Sequence, residues 1–215
     1  MLILAGGVML FATSAPFAMA EEPKADTKAG IVIIDATANN GSFETGDLSP
    51  WSPAFVQVSN STGETYASNI IKVVKDPAFS SKGNCYLSLQ AAGDPKGALN
   101  CARVDLRNIQ GIDLEKGRIF ILSWDVRNGE KPFQTPIAEF LALIKGGVVM
   151  AKAETITGTP AVADKWVTRN VKLIMPDTLK EFNSIHLRLG FAMHPTEAGA
   201  TYQCFIDNIT LTQSK

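Results

Sequence analysis

Two alternating runs hold the side chains best suited to chemistry. In Arg118 to Arg127, Phe120, Leu122, Trp124 and Val126 share one side, while Ser123, Asp125 and Arg127 share the other. Ser184 to Met193 repeats the pattern, with Ile185, Leu187, Leu189 and Phe191 facing one way and His186, Arg188 and Gly190 the other. A period of two is that of a half-buried strand, so the apolar sides belong to a core. Planar carboxylates and guanidinium groups on the polar sides suit the hydroxyls of a saccharide, whose C–H faces stack on aromatic rings. Glu139, in the apolar run Ile137 to Ile144, is a further candidate for this surface. Trp124 and Phe191 fall on the core side and Trp166 is expected to pack, which leaves Tyr86 and Trp51 as stacking candidates. Each of these positions also reads as a solvated side chain with no task.

The same residues allow a second chemistry. A glycosidase needs two carboxyls flanking the scissile bond, and Asp125 and Glu139 are the pair that neighbouring strands could bring together. No compact E-x-D-x-x-E run accompanies them, there is no G-x-S-x-G, and neither His186 nor His194 has a telling neighbour. Three cysteines without a C-x-x-C, with only two histidines, argue against zinc.

The elements that must position these groups are short and numerous. Ile31 to Ala38, Ala54 to Ser59, Tyr66 to Lys75, Asn84 to Ala91, Leu99 to Leu106, Val148 to Thr157, Trp166 to Met175 and Tyr202 to Gln213 read as further strands. One short helix is possible around Asp177 to Phe182. This rhythm predicts an all-β fold, a two-sheet antiparallel β-sandwich. Asn84 to Ala91 and Leu99 to Leu106 flank the turn-rich Gly93-Asp94-Pro95-Lys96-Gly97 and are expected to pair as a hairpin. Cys85 and Cys101 would then lie nearly opposite, so a disulfide is geometrically open to them, as is a reduced, packed state. Cys204 is left over.

Near the start stands Asn40-Gly41-Ser42-Phe43-Glu44-Thr45-Gly46 followed by Trp51; near the end, Phe205-Ile206-Asp207-Asn208-Ile209-Thr210-Leu211. Read from the residues, the first is a sharp turn leaving a strand, with Gly41 and Gly46 for backbone freedom and Phe43 and Trp51 turned into a core. Together the two motifs resemble the carbohydrate-binding modules of the galactose-binding-like jelly-roll group. That resemblance implies a jelly-roll sandwich and a structural Ca2+ tying the chain ends together. Carried over residue by residue, Glu44 and Asp207 would supply side chains to the ion and Ser42 a carbonyl. It also implies that the outward faces of the central and late strands line a binding cleft.

Composition bounds the rest. The 215 residues, 46% hydrophobic and 19% charged, describe an ordinary globular chain. A formal net charge of −1 supplies no global field to gather nucleic acid. Residues 1–20 are apolar and end in Ala18-Met19-Ala20 before Glu21-Glu22-Pro23-Lys24, the form of a secretory signal cleaved after Ala20, with a retained membrane anchor as the competing reading. Residues 21–30 follow as a flexible lead-in, and 31–215 as one domain with no membrane span after cleavage. The expectation is a secreted or periplasmic, non-catalytic binder of a carbohydrate or cell-surface glycan, working beside other extracytoplasmic proteins. A structural or adhesive envelope protein is the alternative, and a polysaccharide-cleaving enzyme the weaker one.

Overall fold

The computed structural model describes residues 30–57, 70–92, 100–109, 119–131, 135–143, 149–152, 165–174, 184–193 and 200–213. The expected signal segment, its lead-in and the possible helix at Asp177 to Phe182 lie outside these described residues. Among the described residues eleven strands follow one another: β1 (Ile31–Ile34), β2 (Ser52–Gln57), β3 (Ile70–Lys75), β4 (Cys85–Ala92), β5 (Asn100–Leu106), β6 (Ile119–Asn128), β7 (Thr135–Leu143), β8 (Val149–Lys152), β9 (Val167–Ile174), β10 (Ser184–Met193) and β11 (Thr201–Gln213). They form two antiparallel sheets. One has six strands in the order β3-β4-β11-β6-β9, with β1 also paired to β11; the other has five, in the order β2-β5-β10-β7-β8.

The core lies between them. Leu87 and Leu89 of β4, Phe120 and Leu122 of β6 and Leu211 of β11 are fully buried, as are Ala102 and Val104 of β5 and Leu187, Leu189 and Phe191 of β10. Each large apolar side chain taken from water stabilises the sandwich by roughly 1.5–3 kcal/mol. The predicted all-β two-sheet sandwich is therefore the fold observed.

One expected pairing is not made. β4 pairs with β3 and β11, whereas β5 pairs with β2 and β10. The chain thus crosses from one sheet to the other between these strands instead of turning back as a hairpin. Cys85, the expected partner of Cys101, is a free, buried thiol. Burial pushes that thiol up, and the carboxylates of Glu44 and Asp207 add to the effect.

The chain ends do meet. Ile31 lies opposite Gln213 and Val32 opposite Thr212. Gly41 is wedged beside them: its N–H donates to Asp35 O at 2.8 Å, and its own carbonyl accepts from Ile209 N at 2.8 Å. The glycine is needed here for space, since its backbone is right-handed (φ −66°) and an added Cβ would run into backbone oxygens of Ile209 and Asp35. Phe43 is fully buried although its φ is +59°, a conformation that costs of order 1–3 kcal/mol and persists only where packing holds it.

Candidate functional site

Three groupings gather the polar side chains, and they sort the sequence candidates differently from expectation. The first joins the chain ends. Glu44 Oε1 accepts from Asn84 N at 2.7 Å and Cys85 N at 2.8 Å, and Oε2 accepts from Asn84 Nδ2 at 3.1 Å. Burial would raise this carboxyl, but the backbone N–H groups of Asn84 and Cys85 outweigh it, so it lies below its ordinary value. Gly83 makes the approach possible: its φ is +77°, and a Cβ there would stand 2.5 Å from Glu44 Oε1. On the other side of the same turn, Asp207 Oδ2 accepts from Ser81 N at 3.0 Å and Lys82 N at 3.3 Å, while Oδ1 accepts from Asn208 N at 2.7 Å.

This arrangement bears on the expected calcium. The ion needs six to eight oxygen ligands, yet the carboxylate oxygens of Glu44 and Asp207 are all met by N–H donors. Among the described residues no group of three or more His, Cys, Asp or Glu side chains could hold a metal. As placed, the two carboxylates form an amide clip between the chain ends and the 81–85 turn. Glu44→Gln should lower the melting temperature by a few degrees, equivalent to about 1 kcal/mol for an exposed charge-assisted pair. A chelator should leave the melts of both proteins unchanged in a thermal unfolding assay; a chelator-dependent drop would restore the ion.

The second grouping is the outer face of the six-stranded sheet. Asp125 and Asp207 stand opposite each other across β6 and β11. Asp125 accepts from Ser81 Oγ at 2.7 Å, Thr168 Oγ1 at 2.6 Å and Asn208 Nδ2 at 3.0 Å. Burial works against its charge, but these hydrogen bonds prevail and hold the carboxyl below its ordinary value. At Asp207 burial wins and pushes the carboxyl up to about 6. Beside them lies an aromatic group: Phe79 contacts Tyr86 and Phe205, each at 4.9 Å between ring centroids, and Trp166 at 6.1 Å. The Arg127 guanidinium sits 4.0 Å over the Phe79 ring, and Trp166 Nε1 donates to Phe79 O at 2.7 Å. The turn carrying Phe79 and Ser81 is thereby fastened over this face.

Several candidates are corrected by these contacts. Tyr86 is buried within the aromatic group and is not an open stacking platform. Trp51 is 3% exposed, packs against Phe43 at 6.2 Å and donates its indole N–H to Asn39 O at 2.9 Å, so it belongs to the core. Asp125 and Arg127 are spent on the fastening of the turn. Ser123, half-buried, shares their face.

The third grouping lies on the opposite side of the molecule. His186 and Arg188 project from the outer face of the five-stranded sheet, so they do not converge with Ser123, Asp125 and Arg127. Glu139 is on β7, directly across from Arg188 in register. Its side chain lies outside the described residues. The pairing of Asp125 with Glu139 that a glycosidase would need is excluded by the same split, since one strand belongs to each sheet.

What accompanies Arg188 is a set that the strand pattern also held. In β5, Arg103 and Asp105 alternate with Ala102, Val104 and Leu106, the same signal as in β6 and β10. Asp105 is 1% exposed. Its Oδ1 lies 3.2 Å from Arg103 Nε, and its Oδ2 lies 3.5 Å from Arg188 Nε and 3.8 Å from Arg107 Nη2. His186 is buried nearby, and burial together with the Arg107 charge lowers its imidazole below the ordinary value. Gly190, between Arg188 and Ala192, has no room for a side chain, because a Cβ would come within 2.6 Å of Arg103 Cα. The neighbouring strand, through Ala102 O and Arg103, fills the space at that position. The arrangement offers forked N–H donors around one buried carboxylate, a surface for oxygen-rich ligands.

No family model matches the chain, and no curated protein matches it. Solved structures do, in fold. The CBM22-1 xylan-binding domain of Paenibacillus barcinonensis Xyn10C is 15% identical with a TM-score of 0.56, over 87% of this chain and 97% of that one. The CBM22-1–GH10 modules of Clostridium thermocellum Xyn10B, solved with xylohexaose, are 15% identical with a TM-score of 0.53, over 86% of this chain and 28% of that one. A Stig cyclase, Fisc from Fischerella sp. TAU, is also 15% identical, with a TM-score of 0.55 over 86% and 98%. The chain therefore has the β-sandwich fold found in carbohydrate-binding modules, a fold that an enzyme also uses. Among the described residues no helix is long and apolar enough to cross a membrane.

Proposed function

We propose that this chain is an exported, non-catalytic glycan-binding module whose contact surface is the outer face of the five-stranded sheet. The observation that carries the reading is the ionic group on that face. Asp105, at 1% exposure, is enclosed by Arg103, Arg107 and Arg188 on a surface that the sandwich core does not need. Taking charges out of water is costly and adds little net stability. A surface built this way is better explained by recognition than by folding. The fold shared with xylan-binding domains supports the same reading, and the apolar residues 1–20 support export.

A glycan array probed with the purified protein tests it. Binding should be detected without product release, and Arg188→Ala should weaken it at least tenfold while the melt remains cooperative. Binding unaffected by Arg188→Ala would remove this face from the reading. The adhesive alternative has one observation in its favour: Val32 and Ile121, 52% and 45% exposed, flank Thr212 on the outer face of the six-stranded sheet. Two exposed apolar side chains make a small patch, well below what a stable interface buries.

A further inference from the structure

We infer that Arg127, on the outer face of the six-stranded sheet, is the centre of a second binding site, which takes an oxyanion (a carboxylate or a phosphate) carried on a flat apolar body. The first ground is the state of the guanidinium. Among the described residues Arg127 has no hydrogen-bond acceptor and no carboxylate partner; its contact is with the Phe79 ring, at 4.0 Å. Its Nε is buried and unmet, while the residue as a whole is half-buried, so the Nη end is the part left to meet solvent. Asp125, two positions away on β6, does not answer it, because its oxygens accept from Thr168, Ser81 and Asn208. Arg103 and Asp105 have the same spacing on β5 and do pair, at 3.2 Å. Fastening the turn needs only a cation over the Phe79 ring, which a lysine would also supply. The guanidinium adds two parallel Nη donors, the match for two oxygens of one anion.

The second ground is what frames it. By register Arg127 faces Phe205 across β11, and on its other side Val167, which faces Val126, is preceded by Trp166. Phe79, Phe205 and Trp166 are each half-buried, so each keeps part of its ring in solvent. They are held in place beforehand: Phe79 lies 4.9 Å from Phe205 and 6.1 Å from Trp166 between centroids, and the indole N–H of Trp166 donates to Phe79 O. Apolar walls strengthen an ionic hydrogen bond made beside them, and they give the body of the ligand a surface to rest on. Lys72, exposed, stands in the same cross-strand row through Ser88 and Phe205, and adds positive charge to the approach.

Nuclear magnetic resonance of the isotope-labelled protein, titrated with benzoate, phenyl phosphate, benzamide or acetate, tests this. Benzoate, phenyl phosphate or both should shift the Arg127 Nε–H and Trp166 Nε1–H signals; which of them does so tells a carboxylate source from a phosphate one. Acetate should need at least tenfold higher concentration, and benzamide should leave the Arg127 signal in place. Arg127→Lys, which keeps the cation over Phe79 but loses the fork, should weaken binding of the anion at least tenfold. If that variant melts early, the two wild-type signals carry the test alone. Equal shifts with benzamide would reduce the site to ring contact and overturn the inference. So would no shift with either aromatic anion, or shifts confined to Arg103, Arg107 and Arg188. None of these results touches the glycan reading, which rests on the other sheet.

Discussion

Gly41→Ala is expected to leave little folded protein, with a loss of roughly 4 kcal/mol or more, in the range reserved for overpacked or strained core sites. The added methyl would run into the carbonyl oxygen of Ile209 and stand 2.5 Å from that of Asp35. Both are backbone atoms, and both belong to the junction of the chain ends: Gly41 N donates to Asp35 O, and Gly41 O accepts from Ile209 N. Relieving the clash would mean parting the start of the chain from β11, the strand that pairs with β1, β4 and β6. Gly46→Ala is the control. Its φ is +81° but nothing lies within 4 Å of its Cβ position, so only backbone strain of about 1–2 kcal/mol is expected. Chemical denaturation of the two variants checks this, and equal losses would show that space at Gly41 is not the reason for the glycine.

Asp105→Ala is expected to cost about 3 kcal/mol and to abolish glycan binding. The carboxylate is enclosed by three guanidinium groups, and the side chains of Arg103 and Arg188 are only 16% and 22% exposed. Deleting one partner of a buried ionic group leaves the others uncompensated, which is where most of the cost of breaking such groups arises. Asp105→Asn keeps the shape and one acceptor, so it should lose less stability while still weakening binding. Denaturant midpoints and glycan affinity, measured on the same preparations, separate the two effects. A stable Asp105→Ala variant with full binding would mean that the ionic group neither holds the face together nor meets the ligand.

The strands were legible because their alternation is strict. Phe120, Leu122, Trp124 and Val126 in β6 and Leu187, Leu189 and Phe191 in β10 announce a buried side, and the structure buries each of them. Parity states only that Asp125 and Arg188 point away from the core. It does not say to which sheet a strand belongs, so two outward faces on opposite sides of the molecule read as one cleft. Sheet membership comes from long-range pairing, such as Leu189 with Val104 and Phe205 with Arg127, which carries no local signature. The Gly-Pro tip after β4 misled for the same reason, since turn residues serve a crossing between sheets as well as a hairpin. Arg103 and Asp105 show the opposite case: their alternation with Ala102, Val104 and Leu106 was present in the sequence, but nothing local set them apart from any solvated strand face. The end motifs were legible as a junction, whereas the means of joining was not. Whether Glu44 and Asp207 meet an ion or amides depends on where the distant 81–85 turn comes to rest.

Hydrogen–deuterium exchange with and without a bound glycan ligand tests the placement of the site most directly. Protection is expected in β5 and β10, over residues 100–106 and 184–193, with β6 and β11 unchanged. Protection confined to 119–128 and 201–213, where the Phe79 aromatic group lies, would contradict the assignment and move the ligand to the other face.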